Sequence, residues 1–162
     1  VEGVRLKVLF METRNCEDCN MCCKLPSIPN IKKDYEWCSN CDIGIGCKIY
    51  DKRPKKCKDF YCLWKIGTFP KNLKPNKVGF FATMDNELSK IEKVITIYCE
   101  TYKLDNIKKF LKDINITDES GQTYRFVIRY NNQEDDLYIY DPKIVNQLIY
   151  ANRKEKKWTL KK

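Results

Sequence analysis

Nine of the ten cysteines lie between Cys16 and Cys62, spaced as metal ligands are. They run Cys16-x2-Cys19-x2-Cys22-Cys23, then Cys38-x2-Cys41, Cys47, Cys57 and Cys62. A two-residue gap lets both sulfurs of a pair turn toward one ion across a tight loop, and thiolate suits soft and borderline cations. Disulfides are the rival use of so many cysteines. Cys-x2-Cys bridges close strained small loops, however, and four cysteines packed between Cys16 and Cys23 would staple little chain. The candidate metal ligands are therefore Cys16, Cys19, Cys22, Cys23, Cys38, Cys41, Cys47, Cys57 and Cys62. Cys99 stands apart on the apolar side of a predicted strand and reads as a core residue.

Histidine is absent, which excludes histidine general bases, Ser-His and Cys-His nucleophile pairs and mixed Cys/His zinc fingers. The expected cofactor is structural zinc, two or three ions held by sulfur alone. Eight sulfurs fill two tetrahedral sites, whereas nine hold three ions if three sulfurs bridge. Two sites are favoured, with Cys22 or Cys23 as the spare, because neighbouring side chains point apart. An iron–sulfur cluster is the alternative. Cys16-x2-Cys19-x2-Cys22 matches the first three ligands of a bacterial ferredoxin run, but Pro26 stands where the fourth would fall, so Cys23 or a distant residue such as Cys62 must complete it. Gly44 and Gly46 are expected to offer backbone N–H groups to thiolate sulfur, with a plain turn as the equal alternative.

Cys-x2-Cys-x2-Cys-Cys, with Gly46-Cys47-Lys48-Ile49-Tyr50, Arg53-Pro54-x2-Cys57 and Phe60-x-Cys62 downstream, resembles the CxxCxxCC cysteine-cluster family. These are the YkgJ-like zinc- or iron-chelating bacterial proteins. The likeness covers Cys16 to about Trp64, and the inserted Trp37-Cys38-x2-Cys41 pair is similar to one branch of the family. It implies a metal-bound cysteine domain and little defined chemistry. A family relative, the flagellin lysine methylase, uses S-adenosylmethionine, but no glycine-rich nucleotide loop follows any predicted strand here.

The elements that must position these sulfurs form two regions, 1–75 and 76–162. The first is loop-rich, interrupted by Pro26, Pro29 and Pro54, and needs cross-links to hold a shape. Its one expected helix runs from Lys55 to Ile66 behind Pro54 and carries Cys57 and Cys62. In the second region Val78 to Met84 is apolar, a turn is expected at Asp85-Asn86, and Ile91 to Cys99 reads as a strand with Ile95, Ile97 and Cys99 on one face. Leu104, Ile107, Phe110, Leu111 and Ile114 recur at helical spacing. Tyr124, Phe126, Ile128 and Tyr130 alternate with Arg125, Val127 and Arg129 as a half-buried strand. A turn at Asn131 to Asp136 leads to a short strand, Leu137 to Tyr140. Asp141-Pro142 then opens a predicted helix with Ile144, Val145, Leu148 and Ile149 inward. The fold class is α+β: a loop-rich cysteine cluster on an antiparallel sheet with helices, with no low-complexity linker.

The net charge of +9 divides as +6 over residues 1–75, −2 over 76–152 and +5 over Arg153 to Lys162. Each zinc held by four thiolates is a −2 unit, so two such sites would leave the first region near +2. The basic residues from Lys48 to Lys58 are read as offsetting the thiolate field. Nucleic-acid binding through them is possible but not favoured. The last ten residues read as a solvated, frayed tail. Arg53 is expected to have a local structural role, Trp37 and Trp64 to pack around the cluster, and Glu134-Asp135-Asp136 to be a solvated turn. No apolar run is long enough to span a membrane and no secretory signal is visible from Val1 to Phe10, so a cytoplasmic protein without membrane contact is expected. The function expected is metal binding. No catalytic residue is assigned, with an iron–sulfur enzyme and a zinc-braced binding module as alternatives.

Overall fold

The structure is a computed structural model that describes residues 4–7, 12–84, 94–100, 104–121, 123–129, 136–141, 145–152 and 157–160. It is a mixed helix and strand protein, as the α+β expectation has it, with most regular structure after residue 79. Strands β4 (Phe80–Thr83), β5 (Val94–Cys99), β7 (Arg125–Arg129), β8 (Asp136–Asp141), β9 (Val145–Asn152) and β10 (Lys157–Leu160) form one sheet in the order β10-β9-β8-β7-β5-β4. Helix α4 (Leu104–Asp113) and strand β6 (Ile114–Thr117) lie between β5 and β7 in sequence.

The sheet is mixed rather than purely antiparallel. β5 and β7 run parallel, with Ile95 opposite Phe126 and Ile97 opposite Ile128. A parallel pair needs a long crossover, and α4 supplies it. The alternation read for β7 holds, with Phe126 and Ile128 buried between half-exposed Arg125, Val127 and Arg129. Ile95, Ile97 and Cys99 are also buried, and so are Val94 and Thr96 on the other face. Ring contacts identify what covers each face. Phe80 meets Phe110 of α4 at 5.2 Å, and Phe110 meets Phe69 at 5.3 Å. Phe81, one residue on and so on the opposite face, stacks on Tyr98 at 5.3 Å and meets Phe60 edge-on at 5.8 Å. At this end of the sheet, α4 lies on one face and the cysteine-rich segment on the other.

Three further expectations are corrected. The helix predicted behind Asp141-Pro142 is strand β9 over Val145–Asn152, paired with β8 and β10. Val145, Leu148 and Ile149 fit a helical stripe, but β8 on one side, and β10 over Ile149 to Asn152 on the other, pair the backbone and override that local pattern. Ile144 lies outside the described residues. The helix predicted from Lys55 to Ile66 stops early: α2 is Lys55–Asp59, and Phe60 is already extended with ψ 135°. Beyond it Leu63, Trp64, Ile66 and Phe69 are all buried, which a one-faced helix at the surface would not allow. The frayed C-terminal tail is in part strand β10. Finally, the N-terminal residues form an unforeseen strand, β1 (Val4–Lys7), parallel to β6.

The turns expected at Asp85-Asn86 and from Asn131 through Asp135 lie outside the described residues, as do Tyr130, Glu134 and Asp135, while Asp136 opens β8. Among the described residues no helix is long and apolar enough to cross a membrane.

Candidate metal centre

The chain from Tyr61 to Leu63 runs along the outer edge of β4. Leu63 N–H donates to Ala82 O at 2.8 Å and Thr83 Oγ1 to Tyr61 O at 2.9 Å. This covers the sheet edge and fixes Cys62 against the core. Facing it, Cys19 N–H donates to Cys16 O at 2.8 Å and closes a tight turn, with Glu17 in the left-handed region at φ 48°. Lys74 binds Asp18 at 2.8 Å and Asn76 binds it at 3.2 Å, tying that turn to the short helix α3 (Pro75–Val78). Helix α1 (Met21–Lys24) carries Cys22 and Cys23, and buried Met21 and Leu25 set its rotation against the core. Cys16, Cys19, Cys22, Cys57 and Cys62 line one small cavity of about 50 Å³, with Arg53 and Lys65 on its rim.

The other sulfurs gather beside it. Cys38 N–H donates to Cys23 O at 2.9 Å, and Cys41 N–H to Cys38 O at 3.0 Å. Cys41 stands opposite Cys47 across a two-residue ribbon, β2 (Cys41–Asp42) with β3 (Gly46–Cys47). Gly44 turns that ribbon at φ +80°, where a side chain would be strained. Its N–H goes to the Asn20 carboxamide at 2.8 Å, so it is not a donor to sulfur.

Electrostatics join the two groups through the adjacent pair. The Cys22 thiol donates to Cys23 sulfur, which together with Cys41, Lys32 and Arg53 lowers the Cys23 thiol to about 6 against the opposing effect of burial. The same hydrogen bond, then burial and the charges of Cys23, Cys16 and Cys19, push Cys22 well up. Burial and then Cys23 lift Cys41 to about 12. Burial lifts Cys62 to about 11, with Cys16 and Cys19 adding to it. Crowded thiols resist ionising together, and a divalent cation among them would reverse that balance.

All ten cysteines are free thiols. Among the described residues no group of three or more cysteine, aspartate or glutamate side chains is arranged to hold an ion as it stands. The donor chemistry suits zinc or iron, and the backbone turns bring the nine sulfurs into two adjoining groups without closing a coordination sphere.

Several supporting residues carry no signal in the spacing. Lys32 donates to Lys24 O at 3.0 Å, to Lys33 O at 2.8 Å and to Pro26 O, so its ammonium fastens the loop after α1. Asp34 binds Arg129 of β7 at 2.8 Å, and Tyr35 OH donates to Cys99 O at 3.1 Å. The other carboxylate oxygen of Asp34 is buried without a hydrogen-bond partner. Arg53 donates to Tyr50 O at 2.8 Å with its guanidinium 3.8 Å over the Tyr50 ring, a local role as expected. Trp64 is buried beside the cavity, whereas Trp37 is 39% exposed with Lys24 over its ring. Trp37 therefore does not pack in the core. The chain matches no family model, no curated protein and no solved structure.

Proposed function

We propose that this chain is a metal-binding protein whose cysteines hold zinc as a structural centre bracing the segment from Cys16 to Cys62. The observation that carries the reading is the gathering of nine free thiols into two adjoining groups, five of them around one cavity. Zinc bound by thiolates contributes about 10 kcal/mol or more of folding free energy per ion. A cavity of about 50 Å³ suits an ion rather than an organic substrate, since ligand pockets run to several hundred Å³. Elemental analysis of the purified protein tests this, with two zinc ions per chain expected. A chain that folds normally and takes up neither zinc nor iron would refute it.

One observation favours the iron–sulfur alternative for the first group. Cys62 lines the same cavity as Cys16, Cys19 and Cys22 and so could complete a four-thiolate cluster where Pro26 cannot. Iron with acid-labile sulfide, and a brown protein after anaerobic purification, would replace zinc with that reading.

A further inference from the structure

We propose that the turn at the end of the β2–β3 ribbon seats this chain on an anionic lipid surface, Ile43 and Ile45 entering the bilayer interface and the lysines behind them meeting the headgroups. Isoleucine is among the residue types most often buried, and turns favour Gly, Pro, Asn, Asp and Ser. Here Ile43 is 60% exposed and Ile45 71% exposed. Among the described residues the exposed large hydrophobic side chains are these two with Ile31, Trp37 and Tyr50, all in the cysteine-rich segment. The turn that presents the isoleucines is fixed. Ile45 N–H donates to Asp42 O at 2.9 Å, and Gly44 takes the left-handed third position. Asn20, buried at the start of α1, accepts the Gly44 N–H at 2.8 Å. The exposure of Ile43 and Ile45 therefore belongs to a braced ribbon, and a pair of apolar side chains held out in this way marks an interaction site.

Charge selects the partner. From Cys41 to Asp59 six side chains are basic and three, Asp42, Asp51 and Asp59, are acidic. Arg53 donates to Tyr50 O and Lys55 pairs with Asp59, but Lys48, Lys52, Lys56 and Lys58 are exposed and make no ion pair among the described residues. Lys48 follows Ile45 by at most about 11 Å of chain. Lysine is depleted in protein–protein interfaces, where arginine is enriched, so the free cations do not suit a protein partner. A nucleic-acid backbone would use the lysines but gives two aliphatic side chains nothing to do. A lipid surface uses both, since apolar tips enter the acyl boundary while lysines are drawn to anionic headgroups. Trp37 and Tyr50 are of the types enriched at that boundary. The expectation of no membrane contact rests on the absence of a spanning run, which a turn seated on the surface does not need.

Co-sedimentation of the full chain with phosphatidylcholine vesicles, and with vesicles that also contain phosphatidylserine, tests the proposal. Binding to the anionic vesicles only is expected, weakening as salt rises. Ile43→Ser with Ile45→Ser should cut it at least about tenfold, with an unchanged circular dichroism spectrum, and Ile43→Leu with Ile45→Leu should retain it. Each single Ser substitution should give a partial loss, which keeps the test intact if the double variant fails to fold. Lys48→Gln and Lys52→Gln should each lower binding roughly fivefold. Undiminished binding by the Ser variants, or equal binding to neutral vesicles, would overturn the proposal. So would a wild-type chain that binds no vesicles: retention of an oligonucleotide by that chain would make the lysines a nucleic-acid surface, and self-association lost in the Ser variants would make the turn a protein interface.

Discussion

The cysteine-rich segment and the sheet lie against each other but hold their shapes by different means. From Val94 to Ile128 the buried side chains include Ile95, Ile97, Ile107, Leu111, Phe126 and Ile128, each contributing about 1.5–3 kcal/mol. Between Cys16 and Cys62 the buried apolar side chains are Met21, Leu25, Pro26, Cys41 and Cys62, and two of these are cysteines. Ordering each residue costs roughly 1 kcal/mol or more of backbone entropy. Three such anchors cannot offset that for a segment of this length. Thus the sheet can form from apolar burial, whereas the cysteine segment has less of it to offset its ordering, and bound metal is the additional source proposed above.

The sharpest way to break this comparison is to strip any bound metal. Hydrogen exchange with and without a strong zinc chelator should show amides from Cys16 to Cys62 losing protection, while those of β5 and β7 keep most of theirs. Equal loss in both regions would mean that the sheet depends on metal as much as the cysteine segment does. An intermediate effect is expected at the seam. Arg129→Ala leaves buried Asp34 without its cation, at a cost of about 3 kcal/mol. This lies at the low end for buried pairs because Arg129 is partly exposed. Urea unfolding measures it, and Asp34→Asn combined with Arg129→Ala should recover part of the loss. The smallest effect belongs to Cys99, fully buried on β5. Cys99→Ala should cost about 1 kcal/mol and leave the metal-to-protein ratio unchanged. A lower ratio would extend the metal centre into the sheet.

The parts legible in sequence are those where one local pattern decides the outcome. Phe126 and Ile128 alternate with half-exposed neighbours, and Ile107, Phe110 and Leu111 share one face of α4, as their spacing implies. The strand ending in Cys99 was legible too, although cover on its second face was not, because that cover comes from residues far away in sequence. Val145, Leu148 and Ile149 misled because helical spacing in a short stretch is outweighed by two strand neighbours. Which cysteines lie near which was not legible. Spacing alone does not reveal that Cys62 is carried by a chain hooked to β4, or that α1 directs Cys22 and Cys23 to different groups. Lys32, Asn20 and Asp34 left no trace because each acts on backbone or on a partner that only the fold brings near.

The parallel pairing of β1 with β6 brings Val4 beside Ile114, residues roughly 110 positions apart, a closure that costs about 4 kcal/mol of chain entropy. The entire cysteine segment lies inside that loop. Any ion that ties Cys16 to Cys62 shortens the free chain that must be searched before the ends meet. Metal loading would then act on folding speed as well as on stability: β1 would find its place faster in the loaded chain, and a nascent chain short of metal would leave β6 waiting for its neighbour.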